Sequence, residues 1–290
     1  MRKIAILGAN GFLGSPITQA FRESDWDVVA FSRQPHEDST VQEFQVDLFD
    51  VESLKRALKI SKPNVVISTA WVTEHGKFWT SDLNVKYRDA TLKFAEVCFE
   101  SGVESFAGLG TVSEYGIKAG ICNAETSPLI PNDIYATSKI ETGVKLKETA
   151  ESFGAQSHWF RIFQAFGPNE KPERFIPGLI STVSRGAKFA IRTPDYKLDW
   201  IHTADVASAV VFSLENELRH FVDVGTGIAT SVHELSELIC DELNLDSSLL
   251  DYSDQVPGHE KTVVVDPASL LFSSGWKPAE TLESRIRSLR

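Results

Sequence analysis

Cysteine is scarce in this chain of 290 residues, which has only Cys98, Cys122 and Cys240. Three thiols are too few for a disulfide framework, and no Cys/His cluster has the spacing of a metal site, so we expect no metal. Cys98 and Cys240 sit in apolar runs with helical spacing. We therefore expect both to be small residues of the hydrophobic core.

Basic charge and long apolar runs are also lacking. The chain has 29 Lys and Arg against 40 Asp and Glu, a net charge of −11. This balance excludes nucleic acid as the main partner, because a phosphate backbone requires a basic face, but it permits an anionic small ligand. No apolar run approaches the length of a membrane span, so we expect no membrane contact. The chain enters its first strand at Lys3 without signal-peptide organisation, which favours a cytoplasmic location.

Short β-rich apolar runs alternate with longer amphipathic ones. We expect strands at residues 4–7, 28–32, 43–46, 65–68, 105–109 and 158–163, and helices at 13–23, 51–59, 84–101 and 135–152. Asp50 is a suitable N-cap for the second helix, and Gly102 ends the third. Continuous apolar strands alternating with helices indicate a parallel sheet covered on both faces. The predicted fold class is α/β, a doubly wound parallel sheet of the Rossmann type that binds ligands at the carboxyl ends of its strands.

The pattern changes after Phe163, where residues 167–174 form a polar, turn-rich stretch that does not fit the sheet. Residues 221–224 indicate a late strand, and Ser231 with Glu234 forms a capping box that opens a helix. We expect residues 1–165 to form the dinucleotide-binding domain, with 199–227 returning to it. Residues 166–198 and 228–290 are expected to form a smaller, mixed substrate lobe.

The first strand ends in a glycine run, Gly8-Ala9-Asn10-Gly11-Phe12-Leu13-Gly14. Glycines are needed where the chain turns sharply and where a backbone touches phosphates. The following helix offers free N–H groups and its positive end to a pyrophosphate. We therefore expect Gly8, Asn10, Gly11, Phe12, Leu13 and Gly14 to bind a dinucleotide.

The end of the second strand selects between the two nicotinamide cofactors. A carboxylate there would bind the ribose hydroxyls of NAD, but this chain has Ser32-Arg33. A guanidinium beside a neutral residue suits a 2′-phosphate, so we expect NADP, with NAD as the alternative. Asp47-Leu48, after the third strand, either flanks the adenine or forms a turn that leads into the next helix.

Tyr135 and Lys139 lie four residues apart, which places them on one face of a helix. A nearby ammonium favours the phenolate and lowers the pKa of the phenol, so Tyr135 becomes an acid–base group. Thr111 and Ser113, just after the fifth strand, place hydroxyl groups where the same substrate oxygen would lie. The three elements together predict proton-coupled hydride exchange at a carbinol or carbonyl carbon.

In these motifs the chain resembles the extended short-chain dehydrogenase/reductases, a family of nucleotide-sugar epimerases, dehydratases and 4-ketoreductases. Thr111, Tyr135 and Lys139 match the catalytic residues of that family, and the glycine run matches its cofactor motif. The resemblance implies a parallel sheet of about seven strands, a C-terminal lobe that holds the substrate, and a homodimer through helices 84–101 and 135–152. Further segments that resemble the family are Asn84, Ser68-Thr69-Ala70, residues 161–168, residues 199–207 and residues 274–278. Of these, Thr69 and Ala70 are expected to line the cofactor.

The chain departs from the family where the substrate diphosphate is usually clamped. Leu198 stands where an Arg usually precedes the Asp-Trp-Ile-His segment, and Gln255 and Val256 stand where a second Arg is expected. Loss of two charge-assisted contacts would weaken such a clamp, unless Arg192 or another basic residue replaces them. Val112-Ser113 replaces the acidic pair of the 4,6-dehydratases, which argues against dehydration.

Aromatic residues follow the fourth strand, near the expected substrate. Trp71 and His75 either form a wall of the substrate site with Phe78 and Trp79, or belong to a loop that packs on itself. The expected substrate contacts are Trp71, His75, Ser113, Phe163 and Arg192.

The sequence thus predicts an NADP(H)-dependent oxidoreductase of the 4-ketoreductase type. It is expected to act on a carbinol or keto group of a sugar, with a nucleotide-linked sugar as the first candidate. A 4-epimerase that retains its cofactor is the alternative within this class. A non-catalytic NADP-sensing protein is the alternative from another class, although it would not need the Tyr, Lys and hydroxyl together.

Overall fold

The computed structural model describes residues 2–34, 41–72, 74, 76–116, 120–254 and 261–290. Its strands, in chain order, are β1 (Lys3–Leu7), β2 (Asp27–Ser32), β3 (Gln42–Gln45), β4 (Val65–Ser68), β5 (Ser105–Thr111), β6 (Gly120–Cys122), β7 (Gln156–Ile162), β8 (Gln164–Phe166), β9 (Phe189–Ala190), β10 (Lys197–His202), β11 (His220–Val224), β12 (Ala229–Ser231), β13 (Leu250–Asp251) and β14 (Thr262–Val265).

The α-helices are α1 (Gly14–Arg22), α2 (Val51–Ser61), α3 (Leu83–Glu100), α4 (Ile134–Ser152), α5 (Phe175–Ser184), α6 (Thr203–Glu215), α7 (Val232–Leu243), α8 (Leu270–Ser273) and α9 (Leu282–Arg287). Short 3₁₀ helices lie at Phe78–Thr80, Val112–Tyr115 and Ser247–Leu249. As predicted, Asp50 caps α2, and Ser231 with Glu234 forms the capping box of α7.

Seven parallel strands form the main sheet, in the order β11-β7-β5-β4-β1-β2-β3. Apolar residues fill both of its faces, because helices cover each side. One face packs against α1 and α6, and the other against α2, α3 and α4. The chain order reverses between β1 and β4, which opens a crevice at the carboxyl ends of the strands. The prediction of a doubly wound parallel sheet is confirmed.

A second, smaller sheet forms the core of the C-terminal lobe, in the order β12-β10-β14-β6, with β8 paired to β10. Of residues 199–227, which are predicted to return to the first domain, β10 pairs within this second sheet and β11 within the main sheet, and β6 joins the second sheet from within residues 1–165. The domain boundaries stay a prediction. The buried carboxylate of Asp199 on β10 accepts hydrogen bonds from the N–H groups of Thr226, Gly227 and Val265. These bonds tie β10 to β14 and to the loop after β11. Helix α6 does return and packs on α1.

Helices α3 and α4 pack side by side on the main sheet. Their contact includes an ion pair between Arg88 and Glu141 within the chain. Leu83 and Val144 are the large apolar residues of these helices that remain exposed. The homodimer expected through this pair of helices stays a prediction. Cys98 and Cys240 are buried, as predicted, and Cys122 is buried as well.

Candidate active site

Three predicted catalytic residues meet at the carboxyl edge of the main sheet. Thr111 ends β5, and its hydroxyl accepts a hydrogen bond from the Ser113 N–H at 3.3 Å, which starts the 3₁₀ helix that follows. Helix α4 begins after Asp133, whose carboxylate accepts the Ala136 N–H at 2.7 Å. This cap places Tyr135 and Lys139 in the first two turns of α4, facing the end of β5.

Burial sets the acid strength of the Tyr135 phenol. The ring is half-buried, and the ring of Phe78 packs edge-on against it at 4.8 Å between centroids. Burial raises the pKa of Tyr135 to about 12, and a hydrogen bond with Thr111 opposes this rise only in part. On balance, then, the pKa of Tyr135 is raised and not lowered in the protein by itself, because desolvation is the largest cause. The ammonium of Lys139 lies 5.9 Å from the centroid of the phenol ring, and its predicted effect on this pKa stays a prediction.

Lys139 is the buried cation of the site, with 5% of its surface exposed. Its Nζ donates a hydrogen bond to the carbonyl oxygen of Leu109 at 2.6 Å and lies 3.7 Å from the centroid of the Trp71 ring. Burial lowers the pKa of Lys139 from 10.5 to about 7, and the charge of Glu114 opposes that fall. The Lys139 side chain therefore gains or loses its proton near neutral pH, whereas an exposed lysine stays charged there.

The glycine run has the geometry of a dinucleotide cradle. Gly8 has a positive φ of 82°, and a Cβ on Gly14 would lie 2.0 Å from the carbonyl oxygen of Gly8. Gly11 is exposed, and the turn's own carbonyl is the one contact near it. Helix α1 begins after Leu13 with no side-chain cap and no acidic residue in its first turn. The N–H of Ser15 is already bonded to the Gly11 carbonyl and Pro16 has none, so the N–H of Gly14 is the donor that the start of α1 offers to a pyrophosphate.

The end of β2 carries features that suit both nicotinamide cofactors. Arg33 is exposed, and the amide of Asn10 donates to the carbonyl of Gln34 at 3.3 Å, which joins this loop to the glycine run. Ser32 is buried, and its hydroxyl donates to the carboxylate of Glu43 on β3 at 3.3 Å. Sequence reasoning missed Glu43, because only the pairing of β2 with β3 brings it to Ser32.

The remaining predicted cofactor residues differ in their surroundings. The hydroxyl of Thr69 donates to the carbonyls of Leu7 and Gly8, which links the end of β4 to the start of the glycine run. Ala70 is half-buried at the same edge. Leu48 packs into the sheet core, and the Asp47 carboxylate accepts the N–H of Phe49, so this pair forms the turn into α2.

A cavity of about 300 Å³ lies beside the candidate catalytic residues and is lined by residues that follow β5 and by residues of the lobe. It contains the predicted contacts Ser113 and Phe163. Its lining is Trp79, Val112, Ser113, Gly116, Asn132, Asp133, Phe163, Gln164, Leu198, Lys261 and Val263. Sequence reasoning missed Lys261, which reaches the cavity because its carbonyl accepts the N–H of Lys197 at 2.7 Å. No signal local to residue 261 points to that position.

Two other predicted substrate contacts lie elsewhere. Trp71 packs against Lys139, and its indole N–H donates to the Asn84 side chain at 2.9 Å, so it contacts a candidate catalytic residue and does not line the cavity. Arg192 is exposed and pairs with Asp254 at 3.4 Å, outside the cavity lining. His75 lies outside the described residues.

Comparison with known proteins agrees with this geometry. Residues 4–225 match the NAD dependent epimerase/dehydratase family. The chain belongs to that family. It is an enzyme of the short-chain dehydrogenase/reductase type, which confirms the resemblance seen in the motifs.

Curated relatives span several activities. The chain is 25% identical to the GDP-L-fucose synthase of Sinorhizobium fredii, over 97% of this chain and 92% of that protein. It is 25% identical to the dTDP-D-glucose 4,6-dehydratase of Mus musculus, over 99% and 87%. It is 26% identical to the dTDP-4-dehydro-6-deoxyglucose reductase of Escherichia coli, over 68% and 65%.

Solved structures share the fold. A UDP-glucose 4-epimerase of Thermus thermophilus in complex with NAD superimposes with a TM-score of 0.83 at 22% identity, covering 98% of this chain and 96% of that one. A UDP-N-acetylglucosamine 4-epimerase of Methanobrevibacter ruminantium superimposes with a TM-score of 0.85 at 24% identity, covering 99% and 96%. Within the described residues, no helix has the length and apolar character to span a membrane, and no group of side chains is arranged to hold a metal ion.

Proposed function

We propose that this protein is an NADP(H)-dependent oxidoreductase that reduces a keto group of a sugar, as a 4-ketoreductase does. A nucleotide-linked sugar is the first candidate for the substrate. The observation that carries the proposal is the meeting of Thr111, Tyr135 and Lys139 at the carboxyl edge of the sheet, beside a glycine cradle that fits a dinucleotide. The name of one relative, a dTDP-4-dehydro-6-deoxyglucose reductase, supports a reductase.

The catalytic residues divide the work at one substrate oxygen. A bound nicotinamide would supply hydride exchange with the carbon that bears this oxygen. Tyr135 gives its proton to the oxygen as the carbonyl becomes a carbinol. Thr111, next to the phenol, donates a hydrogen bond that holds the oxygen and its developing charge. Lys139 stabilises the phenolate that remains and supplies a donor for a ribose hydroxyl.

The high pKa of Tyr135 favours reduction as the first step. A phenol with a pKa of about 12 is protonated at neutral pH, so it is ready to donate and not ready to accept a proton. A 4-epimerase must first oxidise its substrate and therefore needs the phenolate at the start. Epimerisation is the second candidate, because a retained oxidised nicotinamide is cationic and would lower the same pKa.

The variant Tyr135→Phe tests the catalytic role. We expect unchanged NADPH affinity, measured by fluorescence titration, and a turnover with a 4-keto nucleotide sugar that falls by about 10²–10⁴-fold, since the proton donor is lost. The matched control is Tyr87→Phe, a change on α3. Unaltered turnover in Tyr135→Phe would remove Tyr135 as the acid. Wild-type protein that binds NADPH but turns over none of a panel of keto sugars would favour the sensor instead.

Cofactor choice is tested at the end of β2. Arg33 supports NADP, because a guanidinium pairs with a 2′-phosphate, whereas the Glu43 carboxylate next to Ser32 would repel one and accept ribose hydroxyls. We expect Arg33→Ala to lower NADPH affinity about tenfold with little effect on NADH, and Glu43→Gln to raise NADPH affinity. Equal affinities of the wild type for both cofactors, or no response to Arg33→Ala, would contradict the assignment.

The cavity is the proposed site of the sugar. Its volume of about 300 Å³ is at the small end for ligand pockets, which suits one sugar ring with its substituents. Ser113 and Phe163 line it, and Lys261 supplies a cation for the anionic part of the substrate. Leu198 and Val263 make the opposite wall apolar, so the contact with a diphosphate depends on few charged groups.

A further inference from the structure

A cluster of buried charged and polar residues lies beneath the catalytic edge, and the mechanism above does not use it. Glu114, Tyr115, Arg161 and Asp223 are each at most 2% exposed. They come from β7, β11 and the 3₁₀ helix that follows β5. Buried charges are retained only where they are paired and hydrogen-bonded, so the arrangement of this cluster is specific.

Glu114 makes the contacts that reach the catalytic residues. Its Oε1 accepts hydrogen bonds from the Thr111 N–H and from the indole N–H of Trp159, both at 3.0 Å. Its Oε2 accepts the Nε–H of Arg161 at 2.7 Å. The carboxylate therefore fixes the backbone at the residue whose hydroxyl faces the substrate oxygen.

Trp159 links Glu114 to Lys139. Its indole fills a slot formed by Gly108, Gly110 and Gly143, where an added Cβ would lie 2.5, 2.4 and 2.9 Å from the ring, respectively. Lys139 Nζ lies over this ring, 5.6 Å from its centroid. One immobile indole thus contacts both the carboxylate and the ammonium.

Several other charged groups surround the pair. Arg161 faces Glu114 from β7, and its Nη1 donates to the Tyr115 hydroxyl at 3.2 Å. That hydroxyl donates to Asp223 of β11 at 2.7 Å, and burial raises the pKa of Asp223 to about 6.

Groups on two further segments act on the phenol. The carboxylate of Asp133 raises the pKa of Tyr135, and Arg174 lowers it. Glu114 raises the pKa of both Tyr135 and Lys139. Within the described residues, Glu114 thus acts on both proposed catalytic groups.

We propose that Glu114 is a positioning residue of the active site, which anchors Thr111 through its backbone and supplies the buried countercharge that keeps Lys139 an ammonium. The proposal rests on the proposed function for the roles of Thr111 and Lys139. Its test below reads the charge on Lys139 directly and requires neither substrate nor cofactor.

The reporter is the indole of Trp71, 3.7 Å from Lys139 Nζ. Protein labelled with 5-fluorotryptophan gives one ¹⁹F resonance for each of six Trp residues, and Trp71→Phe assigns the signal of interest. We expect this signal to titrate in the wild type with a midpoint near pH 7, the pKa of Lys139. Lys139→Met should abolish that titration, which separates it from any histidine nearby.

Glu114→Gln removes the charge and keeps a hydrogen-bond acceptor. We expect the Trp71 midpoint to fall by about one pH unit, because a nearby opposite charge has been lost. Glu114→Asp keeps the charge and should leave the midpoint within a few tenths of a unit of the wild type. The matched control is Arg285→Gln, which breaks the buried pair with Asp205, at 2.7 Å, in the C-terminal part of the chain. It should lower thermal stability without moving the midpoint.

Glu114→Gln removes the ion-pair partner of the Arg161 Nε–H, so the double variant Glu114→Gln/Arg161→Gln provides a neutral pair if the single variant does not fold. It should also titrate below the wild type. A folded Glu114→Gln or double variant with the wild-type midpoint would overturn the proposal, as would a Glu114→Asp midpoint as low as that of Glu114→Gln. Full turnover in Tyr135→Phe would refute the proposed function while leaving this titration intact, so the two failures are distinguishable.

Discussion

The buried Lys139, which the proposed mechanism requires, lowers the free energy of unfolding of the protein. Its pKa falls from 10.5 to about 7 on burial, so the folded protein holds the proton less tightly than the unfolded chain does. Each unit of pKa corresponds to about 1.4 kcal/mol, and the full difference therefore amounts to about 5 kcal/mol. We predict that Lys139→Met stabilises the protein and abolishes catalysis.

The sign of the pH dependence follows from the direction of the shift. Above pH 10.5 the lysine is neutral in both the folded and the unfolded state, so its burial does not lower the free energy of unfolding through this effect. The cost grows as the pH falls and is complete below pH 7. Between about pH 9 and about pH 6, the gain from Lys139→Met should rise by roughly 2–3 kcal/mol. The lost hydrogen bond to Leu109 and the lost contact with Trp71 offset about 2–3 kcal/mol, which leaves a net gain of about 2 kcal/mol at neutral pH.

Urea unfolding followed by circular dichroism, at several pH values, measures this difference. Lys145→Met is the matched control, because Lys145 is exposed on the same helix, and its curve should run parallel to the wild type. The reasoning is refuted if the gap between Lys139→Met and the wild type does not widen as the pH falls. Such a result would mean that the buried ammonium is fully compensated by its neighbours.

Three further predictions concern the cradle, the lobe and the assembly. Gly14→Ala should weaken NADPH binding at least 100-fold in a fluorescence titration, because its Cβ would lie 2.0 Å from a backbone carbonyl, whereas Gly178→Ala, with no contact under 3.4 Å, should bind normally. Asp199→Asn should lower the urea unfolding free energy by about 3 kcal/mol, because an amide replaces the acceptor of four hydrogen bonds, and Asp195→Asn at the surface should change little. If α3 and α4 form a homodimer, sedimentation should show a dimer that Val144→Glu dissociates; a monomeric wild type would contradict that interface.

The main sheet was predictable because its signals are local. Residues 65–67 are apolar and β-branched, and the structure has this strand at the predicted residues, 65–68. The other predicted strands and helices of this domain differ from the observed ones by a few residues at their ends. The cap at Asp50 and the turn at Gly102 are also properties of neighbouring residues.

The lobe was less predictable because its sheet is assembled from distant segments. Strand β6 has three residues, and β14 lies about 140 positions later, yet the two pair in parallel. Nothing near Gly120 identifies that partner. The pairing of β10 within this sheet, and not the main one, was hidden for the same reason, since the donors that bind Asp199 come from residues 226, 227 and 265.

By itself, the sequence determined the parallel sheet, and it predicted the glycine turn and Thr111, Tyr135 and Lys139 as candidate site residues, because strand patterning and i, i+4 spacing are set by neighbours along the chain. Only the tertiary structure decided how these groups are charged and what surrounds them. The pKa of Tyr135 rises and that of Lys139 falls because desolvation depends on the residues packed around a side chain. The contacts of Glu114 and the place of Lys261 in the cavity lining also required the structure, because burial and cross-strand pairing are properties of the folded chain.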